Sequence, residues 1–485
     1  SAAADVYKRQ TFNKIRQCLI FKGFFMADNR TEYAEFLQRI LNGDTSFSLL
    51  KQSIPAEKRG FFNMLFMTAM RRLTFIKETV LPRFIKKKVP QKQQILECIL
   101  YLGTTELLFM DTPAYAVLNS YAEAAKKLNG KFGANFVNAV LRNILRNKGG
   151  LLSLPRDKYF SHDFLKILKQ DYTPDEISAM EKFAEYEPPL DITLKDQTVN
   201  PLNDGQVLFT GTVRMPSNVK VTELPGYEEG KWWVQDAASA LAVKCLPEIK
   251  GKNVLDICAA PGGKTAQLLA GGAVVTAVDI SEQRLDVLRE NMMRLKLMQN
   301  LTTVCADALS YTPSEKFDII LIDAPCSATG TFRRHPEIMH TKTAEDVRRQ
   351  EKLQRSILQH AANFLTPGGM LLYATCSLAK AEGERQIKHF ITEHQEFAVF
   401  PITLAGTENL RTKEGFIRVL PQRFLPKQPN TDENMTEKNM GRSNLTKKNM
   451  PDADQTGKDM AIAGLMAENM AGADGFFIAC LQRKI

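Results

Sequence analysis

The stretch from residue 253 to residue 265 reads NVLDICAAPGGKT. A short apolar run leads into a turn of small residues with two consecutive glycines. A P-loop would need a glycine where Cys258 stands, and a dinucleotide motif would need three spaced glycines. The turn therefore predicts close backbone approach to a ligand without phosphates. We assign ligand binding to its residues, Cys258, Ala259, Ala260, Pro261, Gly262, Gly263 and Lys264.

Four further apolar runs follow this turn, and helical segments separate them. The runs cover residues 274–278, 302–305, 317–322 and 370–373, and they lead to Asp279, Asp307, Asp323 and Cys376. Short buried strands that alternate with helices predict a doubly wound parallel sheet. Such sheets bind ligands beyond the carboxyl ends of their strands, which is where these polar residues lie.

The acidic residues at the strand ends favour a nucleoside-like cofactor. Asp279 follows Asp256 by 23 positions and is placed to accept both hydroxyls of a ribose. Asp307 is placed to meet an adenine edge. A site with partners for a ribose and an adenine but without a phosphate-binding motif fits S-adenosylmethionine. The alternative is that Asp279 and Asp307 only cap the helices that follow them.

Two cysteines stand in similar frames, Asp323-Ala324-Pro325-Cys326-Ser327 and Ala374-Thr375-Cys376-Ser377. A thiolate that adds to C6 of cytosine makes C5 able to accept a methyl group, and elimination then frees the enzyme. This chemistry needs an attacking thiol, an acid near N3 and a second group that assists elimination. Cys376, Asp323 and Cys326 supply these types, although a lone cysteine is more often a small buried apolar residue.

The first third of the chain has helical periodicity and a strong positive charge. Residues 1–150 contain 24 Lys and Arg against 11 Asp and Glu, whereas the whole chain has a net charge of +10. All of the positive excess therefore lies in this part, as expected for a module that meets phosphate. Lys148-Gly149-Gly150 predicts the end of its last helix.

The composition argues against several other classes of protein. The chain has no apolar run of eighteen residues and opens on a polar, mixed segment, so we expect neither a membrane span nor a signal peptide. Its eight cysteines and six histidines do not cluster. We therefore expect no metal and no disulfide framework, and a cytoplasmic location.

The motifs resemble those of RNA cytosine-C5 methyltransferases. The resemblance rests on the turn at residues 258–264, the two cysteine frames, Arg333-Arg334-His335-Pro336 and Asp474-Gly475-Phe476-Phe477. Residues 113–119 and 136–142 resemble the NusB-like RNA-binding domain that is fused to bacterial 16S rRNA methyltransferases of the RsmB type. The resemblance implies S-adenosylmethionine as cofactor, RNA, most of all 16S rRNA, as partner, and a monomer.

The resemblance also implies a role for each site residue. Cys376 would be the nucleophile, Cys326 would assist product release, and Asp323 would contact the N3 edge of cytosine and border the cofactor. Two departures concern the substrate loop. The family usually has Glu-Asn-Glu where this chain has Glu382-Gly383-Glu384, and a Trp is common at the position of His340.

We therefore predict a multidomain protein. Residues 1–150 form an all-α NusB-like domain, residues 151–245 a small α/β connecting module, and residues 246–485 an α/β Rossmann-like class I methyltransferase domain. A low-complexity insertion with a five-residue repeat interrupts the last domain at about residues 427–473.

Three alternatives stay open. The same chemistry could act on tRNA or on another rRNA site. DNA cytosine methylation would make Cys326 the attacking thiol, because that nucleophile normally follows Pro. A non-catalytic RNA-binding module with a relic methyltransferase fold would bind no cofactor.

Overall fold

The protein was analysed as a computed structural model, which describes residues 29–86, 93–217, 219–424 and 471–485. The first 28 residues and nearly all of the predicted insertion lie outside these described residues.

The amino-terminal part is a helical bundle. Its helices are α1 (Arg30–Leu41), α2 (Phe47–Ser53), α3 (Ala56–Phe75), α4 (Gln94–Phe109), α5 (Ala114–Arg146) and α6 (Lys148–Leu152). Helix α4 is apolar on nearly every side and lies at the centre, against α1, α3 and α5. One buried charged group, Glu106 on α4, pairs with Arg30 at 2.9 Å and accepts a hydrogen bond from Tyr121 at 2.6 Å. The predicted all-α domain is confirmed.

The predicted helix end at Lys148-Gly149-Gly150 is wrong in detail. Helix α5 ends at Arg146, and the two glycines lie inside α6, which starts at Lys148. The irregular point in this region lies earlier, at Asn129 and Gly130, where the backbone leaves helical geometry within α5. Gly130 has a φ of +63°, which a glycine adopts without strain.

The connecting region contains two helices and a small antiparallel sheet. The helices are α7 (His162–Leu168) and α8 (Pro174–Ala184), and the strands are β1 (Leu190–Leu194), β2 (Gln206–Val207), β3 (Thr212–Met215) and β4 (Trp232–Val234). Their order in the sheet is β2-β3-β1-β4. A fully buried ion pair between Arg214 and Asp191, at 2.7 Å, joins β3 to β1, and the Asp191 carboxylate also accepts from the amide of Ala237. This contact attaches the small sheet to the helix that follows it.

The carboxyl-terminal part is built on a large twisted sheet. Its strands are β5 (Asn253–Ile257), β6 (Val274–Asp279), β7 (Leu301–Cys305), β8 (Phe317–Asp323), β9 (Leu365–Thr375), β10 (Phe397–Val399), β11 (Ile417–Val419) and β12 (Phe476–Arg483). The order is β10-β12-β9-β8-β5-β6-β7, with β11 also paired to β12. Strands β5 to β9 are parallel, whereas β12 runs antiparallel to β9. The predicted doubly wound sheet is confirmed, with an antiparallel strand added from the end of the chain.

Helices cover both faces of this sheet. One face packs on α9 (Ala237–Lys244), α10 (Gly263–Ala270) and α11 (Glu282–Leu295), and the other packs on α13 (Ala344–Ala362) and α14 (Glu384–Glu393), with the short α12 (Ile338–Thr341) before them. Consecutive strand residues belong to opposite faces: Val254 packs on the first and Leu255 on the second. This alternation fixes the register of the strands and so the positions of the residues at their ends.

The helical bundle contacts the connecting region and the carboxyl-terminal part directly. Arg71, buried on α3, donates to the backbone oxygens of Ala184 and Arg333 at 3.1 and 2.6 Å. The ring of His340 on α12 is hydrogen-bonded to the Met70 oxygen at 2.7 Å, and burial lowers its pKa to about 4. The residue that departs from the family pattern therefore lies at the contact with the amino-terminal bundle.

Candidate active site

The two predicted catalytic thiols lie next to each other. The sulfur atoms of Cys326 and Cys376 are 3.3 Å apart, although fifty positions separate them in the sequence. Strands β8 and β9 are neighbours and parallel, with Asp323 opposite Ala374, and the amide of Ala324 donates to the Ala374 oxygen at 2.9 Å. Cys326 follows the end of β8 by three residues and Cys376 follows the end of β9 by one, so pairing of the strands brings both thiols to one edge of the sheet.

The surroundings of the Cys326 thiol favour its protonated form. The pKa of Cys326 lies well above its ordinary value, first because the thiol is hydrogen-bonded to Cys376 and second because it is buried. Cys326 is therefore held as a neutral thiol, and its sulfur lies within hydrogen-bond distance of the Cys376 sulfur.

Asp323 lies at the end of β8 and is paired with the cofactor turn. Its carboxylate is 2.8 Å from the Lys264 amine. Its side chain is 36% exposed, so a nucleobase can still reach it. The Lys264 amine also lies 5.1 Å from the centre of the Phe476 ring on β12. One lysine therefore joins the turn, the acid and the last strand of the sheet.

The turn after β5 has the geometry of a cradle for a ligand. Gly262 has a φ of +101°, and a Cβ atom there would lie 2.9 Å from Leu288. Asp256 is fully buried, and one of its oxygens accepts from Thr265 at 2.6 Å while the other has no hydrogen-bond partner. Burial raises the pKa of Asp256 to about 7. A glycine-lined turn with an unsatisfied acceptor beside it fits a ligand that brings its own donors.

The other predicted cofactor residues differ in their exposure. Asp279 is buried at the end of β6, where it accepts from the amides of Ala260 and Ser281 at 3.1 Å each and pairs with Arg284. Its carboxylate therefore holds the turn against β6. Asp307 is exposed and accepts from the amide of Leu309 at 2.9 Å. The assignment of ribose and adenine contacts to these two acids stays a prediction.

The thiol of Cys258 has a different environment from the paired cysteines. Cys258 adopts a φ of +61° within the turn, and burial raises the pKa of its thiol to about 12. A thiol with this pKa is protonated at neutral pH, so Cys258 contributes shape to the turn rather than a nucleophile.

Sequence reasoning missed the polar residues that hold the two cysteine loops. The buried carboxylate of Glu382 accepts from Ser327 and Ser377, each of which directly follows one of the cysteines. Arg334 bridges Asp236 at 2.8 Å and Asp474 at 2.9 Å, and so ties α9 to the start of β12. The only sequence signal for them was their position inside the motifs, which gives no partner.

Comparisons with known proteins identify a family in which these motifs occur. The family model described as 16S rRNA methyltransferase RsmB/F matches residues 243–438, and the NusB family model matches residues 15–146. Ribosomal RNA small subunit methyltransferase B of Vibrio cholerae is 36% identical over 341 residues, which are 65% of this chain and 77% of that protein. The enzyme of the same name from Vibrio vulnificus is 32% identical over 387 residues, 75% of this chain and 90% of that protein. The chain belongs to this family.

Family membership confirms the resemblance that the motifs predicted, including the NusB-like domain. The protein is a methyltransferase, and S-adenosylmethionine is its cofactor. Among solved structures, that of PH0851 matches with a TM-score of 0.61 at 20% identity and covers 88% of this chain and 91% of that one. This match supports the fold.

Within the described residues, no group of three or more His, Cys, Asp and Glu side chains could hold a metal ion. In that same part of the chain, no helix is both long enough and apolar enough to cross a membrane.

Proposed function

We propose that this protein methylates C5 of a cytidine in 16S ribosomal RNA through a transient bond between Cys376 and C6 of the base. The observation that carries the proposal is the 3.3 Å separation of the Cys326 and Cys376 sulfur atoms at the ends of neighbouring strands. One thiol can form a bond to the base, and the other can assist its cleavage.

The residues divide the chemistry as follows. The thiolate of Cys376 adds to C6, which makes C5 nucleophilic, while Asp323 contacts the N3 edge of the base. S-adenosylmethionine supplies a methyl group on a positively charged sulfur. Transfer of the C5 proton to a water molecule then expels Cys376 as a thiolate, and the thiol of Cys326 stabilises the leaving sulfur through their 3.3 Å contact.

The cofactor would lie against the turn and the strand ends beside it. Gly262 and Gly263 allow close approach of the backbone, and Lys264 keeps Asp323 oriented through their 2.8 Å contact. Asp279 and Asp307 are the proposed partners of the ribose and the adenine. Because Asp279 already accepts from two backbone amides, its contact with a ribose would use the remaining acceptor capacity of its oxygens.

The relatives support 16S rRNA as the substrate, because their names specify RNA of the small ribosomal subunit.

The charge of the amino-terminal part independently supports RNA as the substrate. Residues 124–156 carry seven Lys or Arg residues and no Asp or Glu. Lys131, Arg142 and Arg146 are exposed on one side of α5, and the exposed Phe132 is stacked on Phe136 beside them. Positive charges next to an exposed ring suit phosphates and an unpaired base.

The organisation of the chain follows from the same proposal. We assign residues 1–150 to RNA binding, residues 151–245 to the connecting module and residues 246–485 to methyl transfer. The helical bundle and the small sheet each have a buried cluster of their own, whereas the cluster on the first face of the large sheet also includes Leu208 and the helix α9. One chain carries both RNA-binding and catalytic parts, which favours a monomer. We also propose a cytoplasmic location, because ribosomal RNA is the proposed substrate.

The test is methyl transfer from labelled S-adenosylmethionine to deproteinised 16S rRNA, with tRNA as a parallel substrate and nucleoside analysis of the product. We expect labelled 5-methylcytidine in 16S rRNA alone. Label in tRNA alone would overturn the substrate, and label on another atom would overturn the chemistry. Absence of binding to S-adenosylmethionine in calorimetry would favour the relic fold.

A further inference from the structure

The carboxylate of Glu382 is buried between the two cysteine loops. Its side chain has no exposed surface, and it lies at the end of a 3-10 turn, Lys380–Glu382, that follows β9. One oxygen accepts from the amide of Ser327 at 2.8 Å and from the side chain of Gln354 at 2.9 Å. The other oxygen accepts from the hydroxyls of Ser327 and Ser377, at 2.5 Å each. All four hydrogen bonds come from neutral donors.

These contacts concern the residue directly after each catalytic thiol. Ser327 follows Cys326, and Ser377 follows Cys376. A carboxylate is the side chain that can accept four hydrogen bonds at once, because each of its oxygens has two acceptor sites. A buried carboxylate is also costly when its donors carry no charge. Its presence here is explained by a task that a neutral side chain cannot perform.

We infer that Glu382 is the positioning residue of this site: by holding Ser327 and Ser377 together it sets the separation and the separate roles of the two thiols. The inference rests on the proposed function for the roles, but the separation can be measured without it. Glu382 reaches no reacting atom and acts through the two loops.

The negative charge of Glu382 also acts on one thiol. The largest causes of the raised pKa of Cys326 are its hydrogen bond to Cys376, its burial and its electrostatic interaction with Cys376. The charge of Glu382 is a further, smaller cause. A carboxylate beside Cys326 therefore helps to keep that thiol protonated. A protonated Cys326 can donate to the sulfur of Cys376, which is the attacking group in the proposed function.

The first readout is geometric and needs no substrate. Diamide accepts the two thiol hydrogens and leaves a disulfide, so its rate with Cys326 and Cys376 reports how well the two sulfur atoms are held together. We expect Glu382→Gln to slow this disulfide about tenfold, measured by peptide mass spectrometry. An unchanged rate in Glu382→Gln would contradict the inference.

The second readout is the pH profile of Cys326 alkylation by iodoacetamide, measured peptide by peptide in a Cys376→Ser background. Removing the charge of Glu382 lowers the pKa of Cys326, so Glu382→Gln should move the midpoint of alkylation to lower pH. An identical midpoint would overturn the proposed effect of the charge. This readout separates positioning from a general loss of structure, which would expose all cysteines together.

The control and a milder variant keep the test decisive if Glu382→Gln folds poorly. Asp171 holds the outer side of the same segment through Lys380 and Arg385, at 2.8 and 2.6 Å, but contacts neither cysteine loop. Asp171→Asn should leave the disulfide rate and the Cys326 midpoint unchanged. Ser377→Ala removes one donor and keeps the carboxylate, and it should slow the disulfide as Glu382→Gln does.

Methyl transfer distinguishes this inference from the proposed function. We expect Glu382→Gln to lower kcat about 100-fold with KM for S-adenosylmethionine unchanged. If the wild-type chain methylates rRNA and Glu382→Gln has the same kcat, the inference fails and the function stands. If the wild-type chain does not methylate rRNA but both thiol readouts respond to Glu382→Gln, the positioning stands and the function fails.

Discussion

At the scale of single residues, the site depends on how closely the backbone approaches Cys376. The amide of Gly330 donates to the Cys376 oxygen at 2.9 Å, and the amide of Gly475 donates to the Gly330 oxygen at 2.9 Å. A Cβ atom on Gly330 would lie 2.0 Å from the Gly475 oxygen and 2.8 Å from the Cys376 oxygen. A side chain at this position would therefore displace the loop that carries the nucleophile.

We expect Gly330→Ala to lower methyl transfer about 100-fold, because the Cys376 loop must move, and to destabilise the fold by about 1–3 kcal/mol. Single-turnover kinetics and urea unfolding measure the two effects. The matched control is Gly60→Ala, since a Cβ atom there meets nothing within 4 Å and the residue lies exposed inside α3. That variant should gain about 0.5–1 kcal/mol. Full activity in Gly330→Ala would contradict the close packing around Cys376.

Asp256 gives a prediction about pH and stability. Burial raises its pKa from 3.8 to about 7, so the folded chain holds a proton that the unfolded chain has lost. This group's contribution to the free energy of unfolding is largest at low pH and falls between about pH 4 and pH 7, by roughly 4 kcal/mol at most.

Asp256→Asn removes this titration while keeping an acceptor for Thr265. We expect the variant to lose less stability than the wild-type chain between pH 5 and pH 8, as measured by urea unfolding without cofactor. Equal losses in the two proteins would show that Asp256 is ionised in the folded chain throughout this range.

At the scale of elements, the site is assembled where strand ends, turns and helix starts meet. Asp236 caps α9 through the amide of Ala238, and Asp474 precedes β12 by two residues. Arg334 holds both carboxylates, which are nearly buried. This bridge fixes the start of the antiparallel strand β12 to α9, which covers the first face of the sheet.

Removing the cation of this bridge leaves two buried carboxylates without the Arg334 charge that neutralises them. We expect Arg334→Met to cost about 3–5 kcal/mol in the free energy of unfolding, and Arg334→Met with Asp474→Asn to cost less. Arg348→Ala is the control, because its ion pair with Glu345 is exposed and should contribute less than about 1 kcal/mol. Equal effects of Arg334→Met and Arg348→Ala would contradict the structural role of the bridge.

The sequence predicted those elements whose pattern is local. The turn after β5, the five parallel strands and the cysteine frames follow from apolar runs and small residues that lie next to each other in the chain. Glu382 and Arg334 could not be recognised in this way, because their partners lie between 5 and 140 positions away and converge only in the folded sheet. The helix end at Lys148 was placed wrongly because two consecutive glycines favour a helix stop. Here the glycines belong to the short helix α6, whose Leu151 packs in the core of the bundle.

At the scale of the whole molecule, charge and chemistry lie in different parts of the chain. The positive excess lies in the first 150 residues, and the paired thiols lie after residue 320. Arg71 and His340 hold the two parts together through backbone oxygens, so the bundle and the site are attached by specific contacts.

We expect the triple variant Lys131→Ala, Arg142→Ala and Arg146→Ala to weaken RNA binding and to lower the slope of log K against log salt by about 2, as for three lost phosphate contacts. Fluorescence anisotropy at several salt concentrations measures both. The control replaces Lys250, Lys252 and Lys413 by Ala, three exposed cations of the catalytic part, and should leave the slope nearly unchanged. Equal slopes in both triple variants would remove α5 from the RNA surface.

The measurement that tests the central claim most directly is the covalent RNA adduct formed by the two cysteine variants. Each is incubated with 16S rRNA and S-adenosylmethionine and resolved on a denaturing gel. We predict that Cys326→Ala forms a slow-migrating protein–RNA band, because attack by Cys376 proceeds and release stalls, whereas Cys376→Ala forms none. A band with Cys376→Ala and none with Cys326→Ala would reverse the two roles, make Cys326 the nucleophile and contradict the account.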